Sequence, residues 1–188
     1  MLNDSRGKLI TICGIERCQI NERMRILSEM LQMNGQQIYV KEQVMYSLCN
    51  NFDSSEESFF EFAKSNIRTV TEEINEKLNE GYTVICEGYL YYFIAHMIAK
   101  GSDNDQIQSL SEAFLNPDLA IFLNLPIECA SDKNSNAENN KGDSDFEKKI
   151  HDLYIKIARE YNGMIISALL PDDILNARLA WEVRKLVG

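Results

Sequence analysis

The sequence predicts an α/β fold, a five-stranded parallel sheet flanked by helices on both faces. Three observations carry this. Five short apolar runs alternate with helical stretches, the pattern of parallel strands joined by right-handed crossovers. Residues 82–86 (YTVIC) are apolar at almost every position, as a strand covered on both faces requires. The length of 188 residues suits one domain, 1–188, and neither an internal repeat nor a linker divides it.

Taken in order, residues 9–13 (LITIC) read as the first strand, broken at Gly14. An amphipathic helix follows, with Met24, Leu27, Met30 and Leu31 on one face and Gly35 as its C-cap. Residues 37–41 (QIYVK) form a short second strand, and residues 42–53 lack a period and read as a connecting loop. Ser54 with Glu57 makes a capping box for a long helix that carries Phe59, Ala63, Ile67, Val70, Ile74 and Leu78 as far as Gly81. The third strand, 82–86, runs into Glu87-Gly88-Tyr89 at its C-terminal end, where open α/β sheets place their ligands.

Helices over 90–99 and 105–115 come next, then a fourth strand over 119–125 (LAIFLNL). Residues 128–145 read as a flexible, lid-like loop, rich in Asn, Ser and Asp from 129 onward. Phe146, Ile150, Leu153, Ile157 and Tyr161 mark a further helix closed by Gly163. A fifth strand over 164–168 and a terminal helix over 171–186 complete the chain. The ligand edge then gathers residues 14–22, 41–44, 87–92 and the loop at 129–145.

Nineteen basic and 29 acidic residues give a net charge of −10, which argues against nucleic-acid and anionic-membrane partners. A small anionic ligand stays open, because helix N-termini and a few basic side chains grip phosphate locally. The five cysteines form no C-x-x-C and only His96 and His151 accompany them, so no zinc site of ordinary spacing is expected. No secretory signal and no apolar run near 18 residues is evident, which points to a cytoplasmic setting.

The turn after the first strand invites comparison with G-x-x-x-x-G-K-[ST]. In that loop backbone N–H groups cradle phosphates, the Lys neutralises them and the hydroxyl holds Mg²⁺. Gly14 fits the first position. Gln19 stands where the second Gly belongs, Ile20 where the Lys belongs and Asn21 where the Ser or Thr belongs. Glu22 adds an anion at a helix N-terminus otherwise open to phosphate.

Four stretches, in their order and spacing, resemble the thymidylate kinase family of nucleoside monophosphate kinases: KLITICGIERCQINERMRIL, YVKEQ, LNEGYTVICEGYLYYFIAHMIAKG and NPDLAIFLNLP. The resemblance runs nearly end to end. It implies transfer of the γ-phosphoryl group of ATP to dTMP, giving dTDP, with Mg²⁺. Such a transfer rests on in-line positioning and on cancelling charge.

By this resemblance Glu16 and Arg17 match the acidic and basic pair of the family's loop. Lys41 lies where the family's Arg contacts the monophosphate. Glu87 replaces the Asp of the D-R-Y motif, Gly88 replaces its Arg, and Tyr89 retains its Tyr. Tyr92 takes the place of a Ser, and His96 lies where the family has a base-facing side chain. On the long helix Phe62 and Asn66, or in another register Ala63 and Ile67 with Arg68 adjacent, occupy the base-stacking and phosphate positions. The lid carries Lys133 and Lys141 but no Arg.

Structural readings stand beside these. Ile20 suits packing against the sheet or helix, Arg17 a solvated side chain, and Arg23 and Arg25 point away from residue 20. Glu87 suits either a ligand contact or a helix cap. Tyr89, Tyr91, Tyr92, Phe93 and Phe62 suit core or interface, and His96 a satisfied interior histidine.

Three functions are compatible with this pattern. One is a divergent thymidylate kinase using Glu16, Arg17, Lys41 and Glu87. Another is a catalytically inactive homologue that binds a nucleotide or a protein, and the third is a kinase for a different nucleoside monophosphate. Each lost phosphate-clamping charge costs about 3 kcal/mol of transition-state stabilisation, so weak or absent catalysis is expected. ATP and Mg²⁺ are expected cofactors of an active protein, and none of an inactive one. The family's habit implies a homodimer, with residues 89–93 and the long helix as candidate interface.

Overall fold

The computed structural model describes residues 6–42, 56–112, 114–126 and 141–188, with no side-chain description at 56–59, 62, 63, 66, 110 and 141–144. Five strands, β1 (Leu9–Cys13), β2 (Ile38–Lys41), β3 (Thr83–Glu87), β4 (Leu119–Asn124) and β5 (Met164–Ser167), form one sheet of order β2-β3-β1-β4-β5. Every pairing is parallel, with Ile10 opposite Ile85 and Leu119 in the central strands.

The helices are α1 (Ile20–Gln32), α2 (Glu56–Asn79), α3 (Tyr89–Lys100), α4 (Asn104–Glu112), α5 (Lys141–Glu160) and α6 (Asp172–Val187), with one 3-10 turn at Glu16–Cys18. They divide between the two faces. Leu9, Cys13, Val84, Cys86, Ala120 and Phe122 point into a core shared with α2, α3 and α5. Ile10, Ile12, Ile85, Ile121, Leu123 and Ile166 point the other way, into a core shared with α1 and α6. Alternate residues of one strand thus serve opposite cores, which is why β1 is buried throughout and reads as an unbroken apolar run.

Asp118, from the P-D-L segment, fixes the start of the central pairing. Its Oδ2 accepts the N–H of Leu9 at 2.8 Å while its own N–H donates to Leu9 O at 2.8 Å, and Lys8 Nζ lies 3.3 Å from Oδ1. At the opposite edge of the sheet the N–H of Gly88 donates to Ile12 O at 2.9 Å, tying the end of β3 to β1.

The elements follow the sequence reading with three differences. Helix α5 begins at Lys141, inside the stretch taken as a loop. Residues 141–145 (KGDSD) carry no apolar period to announce a helix. Helix α4 ends at Glu112 and not at 115, because Phe114 turns in against the rings of Tyr89 and Phe93 and Leu115 N–H donates to the Tyr89 hydroxyl at 3.2 Å. In the run 89–93, Tyr89, Leu90, Tyr91 and Phe93 are core side chains of this chain, with Tyr92 half-buried, so the run supplies no free aromatic interface. Ser54 and residues 43–53 of the expected loop, like residues 128–140 of the expected lid with Lys133, lie outside the described residues.

Candidate active site at the C-terminal edge of the sheet

The turn between β1 and α1 is organised by its own backbone. Cys18 N–H donates to Ile15 O at 2.9 Å and Gln19 N–H to Glu16 O at 3.0 Å, so two amides of the loop face inward. Gln19 is left-handed (φ 53, ψ 46), a conformation glycine adopts at no cost, and its side chain is exposed. Helix α1 starts at the next residue.

Above Gly14 the space is filled. A methyl group built there would lie 3.0 Å from Ile20 Cδ1 and 3.2 Å from both Cβ and Sγ of Cys18. Ile20 is 4% exposed and Cys18 1%, and both join the apolar cluster of Ile12, Ile15, Met24 and Leu123. The Cys18 thiol donates to Leu123 O at 3.7 Å, and burial pushes its pKa up to about 11, so it stays a neutral packing group.

The nearby cations are engaged. Arg23 is buried, donating through Nε to Cys18 O (2.9 Å), through Nη1 to Asn176 (3.3 Å) and through Nη2 to Asp172 (3.0 Å), which turns its guanidinium toward α6. Arg25 makes a two-pronged bond to Glu22 at 3.0 and 2.7 Å, and this bond holds the Glu22 carboxyl below the usual carboxylate range. Arg17 Nε lies 3.5 Å from Glu147 Oε2 on α5; Glu16 beside it and Asn21 are exposed.

Toward the β2 side, Lys41 Nζ donates to Glu73 Oε2 on α2 at 2.6 Å, and the Tyr39 hydroxyl donates to Glu73 Oε1. Burial alone would raise the Glu73 carboxyl, but the bonds from Lys41 and Tyr39 hold it below its usual value, while the Tyr39 phenol is pushed up to about 12 by the same carboxylate. Glu87 closes β3 half-buried. Gly88 follows with φ 62, and a Cβ on it would sit 2.9 Å from Tyr92 Cβ.

Tyr89 points into the core, its hydroxyl 3.1 Å from Thr71 Oγ1. Tyr92 stacks on His96 with ring centroids 4.0 Å apart, and Phe146 meets the His96 ring edge-on at 5.7 Å. His96 Nδ1 lies 3.0 Å from Tyr92 O, and burial lowers its pKa to about 4. Arg68 is exposed on α2 and paired with Glu72 at 3.0 Å; the side chains of Phe62, Ala63 and Asn66 on the same helix lie outside the described residues, as does that of Lys141.

The edge therefore brings Gly14, Lys41 and Glu87 together at three neighbouring strand ends, with Arg17 in the turn beyond Gly14. It leaves Tyr89 and Arg68 elsewhere. Glu73, Glu147 and the pair of Asn124 with His151 Nε2 (2.9 Å) at the end of β4 were not singled out by sequence. Among the described residues no group of three or more His, Cys, Asp or Glu side chains is placed to hold a metal ion. Among the described residues of the β1–α1 turn an isoleucine and a cysteine lie against Gly14, none is a lysine, and Asn21 stands in place of a hydroxyl ligand, a set that does not fit a nucleoside triphosphate with its Mg²⁺.

An all-parallel sheet of order 2-3-1-4-5 with helices on both faces defines an open α/β protein, the class that places ligands at the C-terminal ends of its strands. The thymidylate kinase family model matches residues 26–178, starting beyond the β1–α1 turn, and the chain belongs to that family. The probable thymidylate kinase of Methanocaldococcus jannaschii is 35% identical over 96 residues, covering 51% of this chain and 50% of its own. That of Thermococcus onnurineus is 32% identical over 132 residues, 67% of this chain and 64% of its own. The thymidylate kinase of Thermoanaerobacter pseudethanolicus is 25% identical over 174 residues, 83% and 86%.

In its matches to the first of these relatives the chain spans about half of their length. The fold agrees with the structure of thymidylate kinase from Candida albicans, at a TM-score of 0.68 and 22% identity over 96% of this chain and 92% of the other. No described helix is long and apolar enough to cross a membrane.

Proposed function

We propose that this chain is a thymidylate kinase-like protein whose transfer of the ATP γ-phosphoryl group to dTMP is weak or lost. Its relatives are named as thymidylate kinases, and that family normally uses ATP and Mg²⁺. The observation that supports the loss is Ile20, an apolar side chain at the motif position of the phosphate-neutralising lysine, buried and packed against Gly14. Gly88, at the position of the D-R-Y arginine, removes a second clamp, and Lys41 offers a point charge where the family's guanidinium would be bidentate.

The test is a coupled assay for dTDP run beside calorimetry with ATP·Mg²⁺ and with dTMP. The expected result is little or no turnover and no heat from ATP. Binding of dTMP without turnover supports an inactive nucleotide-binding homologue, and binding of neither supports a protein-interaction role. Robust dTDP formation overturns the proposal, and turnover with another monophosphate alone reassigns the acceptor. The same reading takes the protein as a cytoplasmic homodimer, which sedimentation at micromolar concentration tests.

A further inference from the structure

Two cations at the ligand edge, Lys41 and Arg17, are each met by a carboxylate from a different element of the chain. Lys41 Nζ lies 2.6 Å from Glu73 of α2, and Arg17 Nε lies 3.5 Å from Glu147 of α5. These are not near-neighbour pairs, such as Arg68 with Glu72 within α2 or Lys77 with Glu80 at its end, that local chain geometry alone brings together. The tertiary fold delivers Glu73 and Glu147 to the C-terminal edge of the sheet. Glu73 is held there twice, since its second oxygen accepts the Tyr39 hydroxyl. Lys41 and Glu73 are 24% and 32% exposed, and Arg17 and Glu147 45% and 22%, so water screens neither pair fully.

We propose that Glu73 and Glu147 are built-in counter-anions: each holds the cation that a phosphoryl group would otherwise take, and so closes this edge to phosphate. The proposal rests on the family reading for which two positions contact phosphate. A phosphate approaching Lys41 has to displace the Glu73 carboxylate and then lie within a few ångströms of it. Displacement and repulsion act in the same direction, and Glu147 does the same to Arg17. The edge is thus closed by negative charge supplied from α2 and α5, in addition to the apolar filling over Gly14.

The test uses the full chain with Glu73→Gln and Glu147→Gln, singly and together, titrated calorimetrically with inorganic phosphate. Glutamine keeps the shape and can still accept the Tyr39 hydroxyl. Each single change is expected to raise phosphate affinity about tenfold, and the gain to vanish when Lys41→Gln or Arg17→Gln is added to its partner's variant. Glu160→Gln makes the same change of net charge at the C-terminal end of α5, far from both pairs, and is expected to leave the affinity as it was. Unchanged affinity in both single variants overturns the proposal, as does an equal gain in Glu160→Gln. Should the double variant fail to fold, the two singles decide. The dTDP assay on the unaltered protein judges the family function separately, because it reads turnover and not phosphate affinity.

Discussion

Ile20 Cδ1 lies 3.0 Å from the position a Cβ on Gly14 would take, tighter than ordinary packing, so a side chain added at Gly14 presses on the isoleucine. That contact predicts a coupled pair of substitutions. Gly14→Ala alone pushes against Ile20 and Cys18, at an expected cost of about 1–3 kcal/mol. Ile20→Val removes the offending methyl and costs about 1 kcal/mol by itself. In the double variant the two changes offset each other, with an expected coupling of about 1 kcal/mol in urea unfolding. Strict additivity would mean that the two side chains do not share this space.

An arginine at Gly88, where the family resemblance places that of the D-R-Y motif, is expected to harm the protein. Gly88 has φ 62 and lies against Tyr92, whose Cβ would be 2.9 Å from any new Cβ. Gly88→Arg therefore carries both backbone strain and a clash, an expected loss of about 2–4 kcal/mol, with no dTDP formed. Thermal unfolding and the coupled assay read the two parts. A variant as stable as its parent would show that the turn relaxes freely.

His96 makes stability depend on pH. Burial between Tyr92 and Phe146 lowers its pKa to about 4 from an unfolded value near 6.5, so the folded protein prefers the neutral ring. The stabilisation is complete above pH 6.5 and is lost as the pH falls toward 4, because the unfolded chain takes up the proton first. Its full size is about 3 kcal/mol. Urea unfolding at pH 7.5, 5.5 and 4.5 should show the decline, and His96→Phe should flatten it in this window. The lowered carboxyl of Glu73 acts further down, giving up its share as the pH falls through its own folded value. An equal slope in His96→Phe would assign the decline to other groups.

Much of the fold is legible from local chemistry, because strands covered on both faces must be apolar throughout. Leu9–Cys13 and Leu119–Asn124 announce themselves that way, and Ile67, Ile74 and Leu78 mark the buried stripe of α2. The start of α5 is not legible, since residues 141–145 contain no apolar side chain to set a phase. At the candidate site, the motif mismatch at Ile20 can be read from the sequence, but the filling over Gly14 needs coordinates. The pairs Lys41–Glu73 and Arg17–Glu147 are set by how helices cross strand ends, which no local pattern encodes. Tyr89 matches the Tyr of D-R-Y by resemblance and suits core or interface by its local chemistry; its φ of 41 and its bonds to Thr71 and Leu115 aim it into the core, which only coordinates reveal.

Arg23 holds the β1–α1 turn shut from behind. Its Nε donates to Cys18 O at 2.9 Å, and its other nitrogens reach Asn176 and Asp172 on α6, so one buried guanidinium spans the turn and the terminal helix. Arg23→Leu keeps the apolar stem but leaves Cys18 O without its charged donor, an expected cost of about 2 kcal/mol. The turn should loosen more than the sheet does, because strands β1, β3 and β4 keep their own pairing. Cys18 reports this directly: it is 1% exposed and its thiol pKa is near 11, so it should react slowly with iodoacetamide in the parent protein. In Arg23→Leu its alkylation, resolved by peptide mass spectrometry, should rise about tenfold while Cys13 and Cys86, buried in the sheet, stay protected. Equal acceleration at all three cysteines would mean that the variant opens globally and that Arg23 has no special hold on the turn.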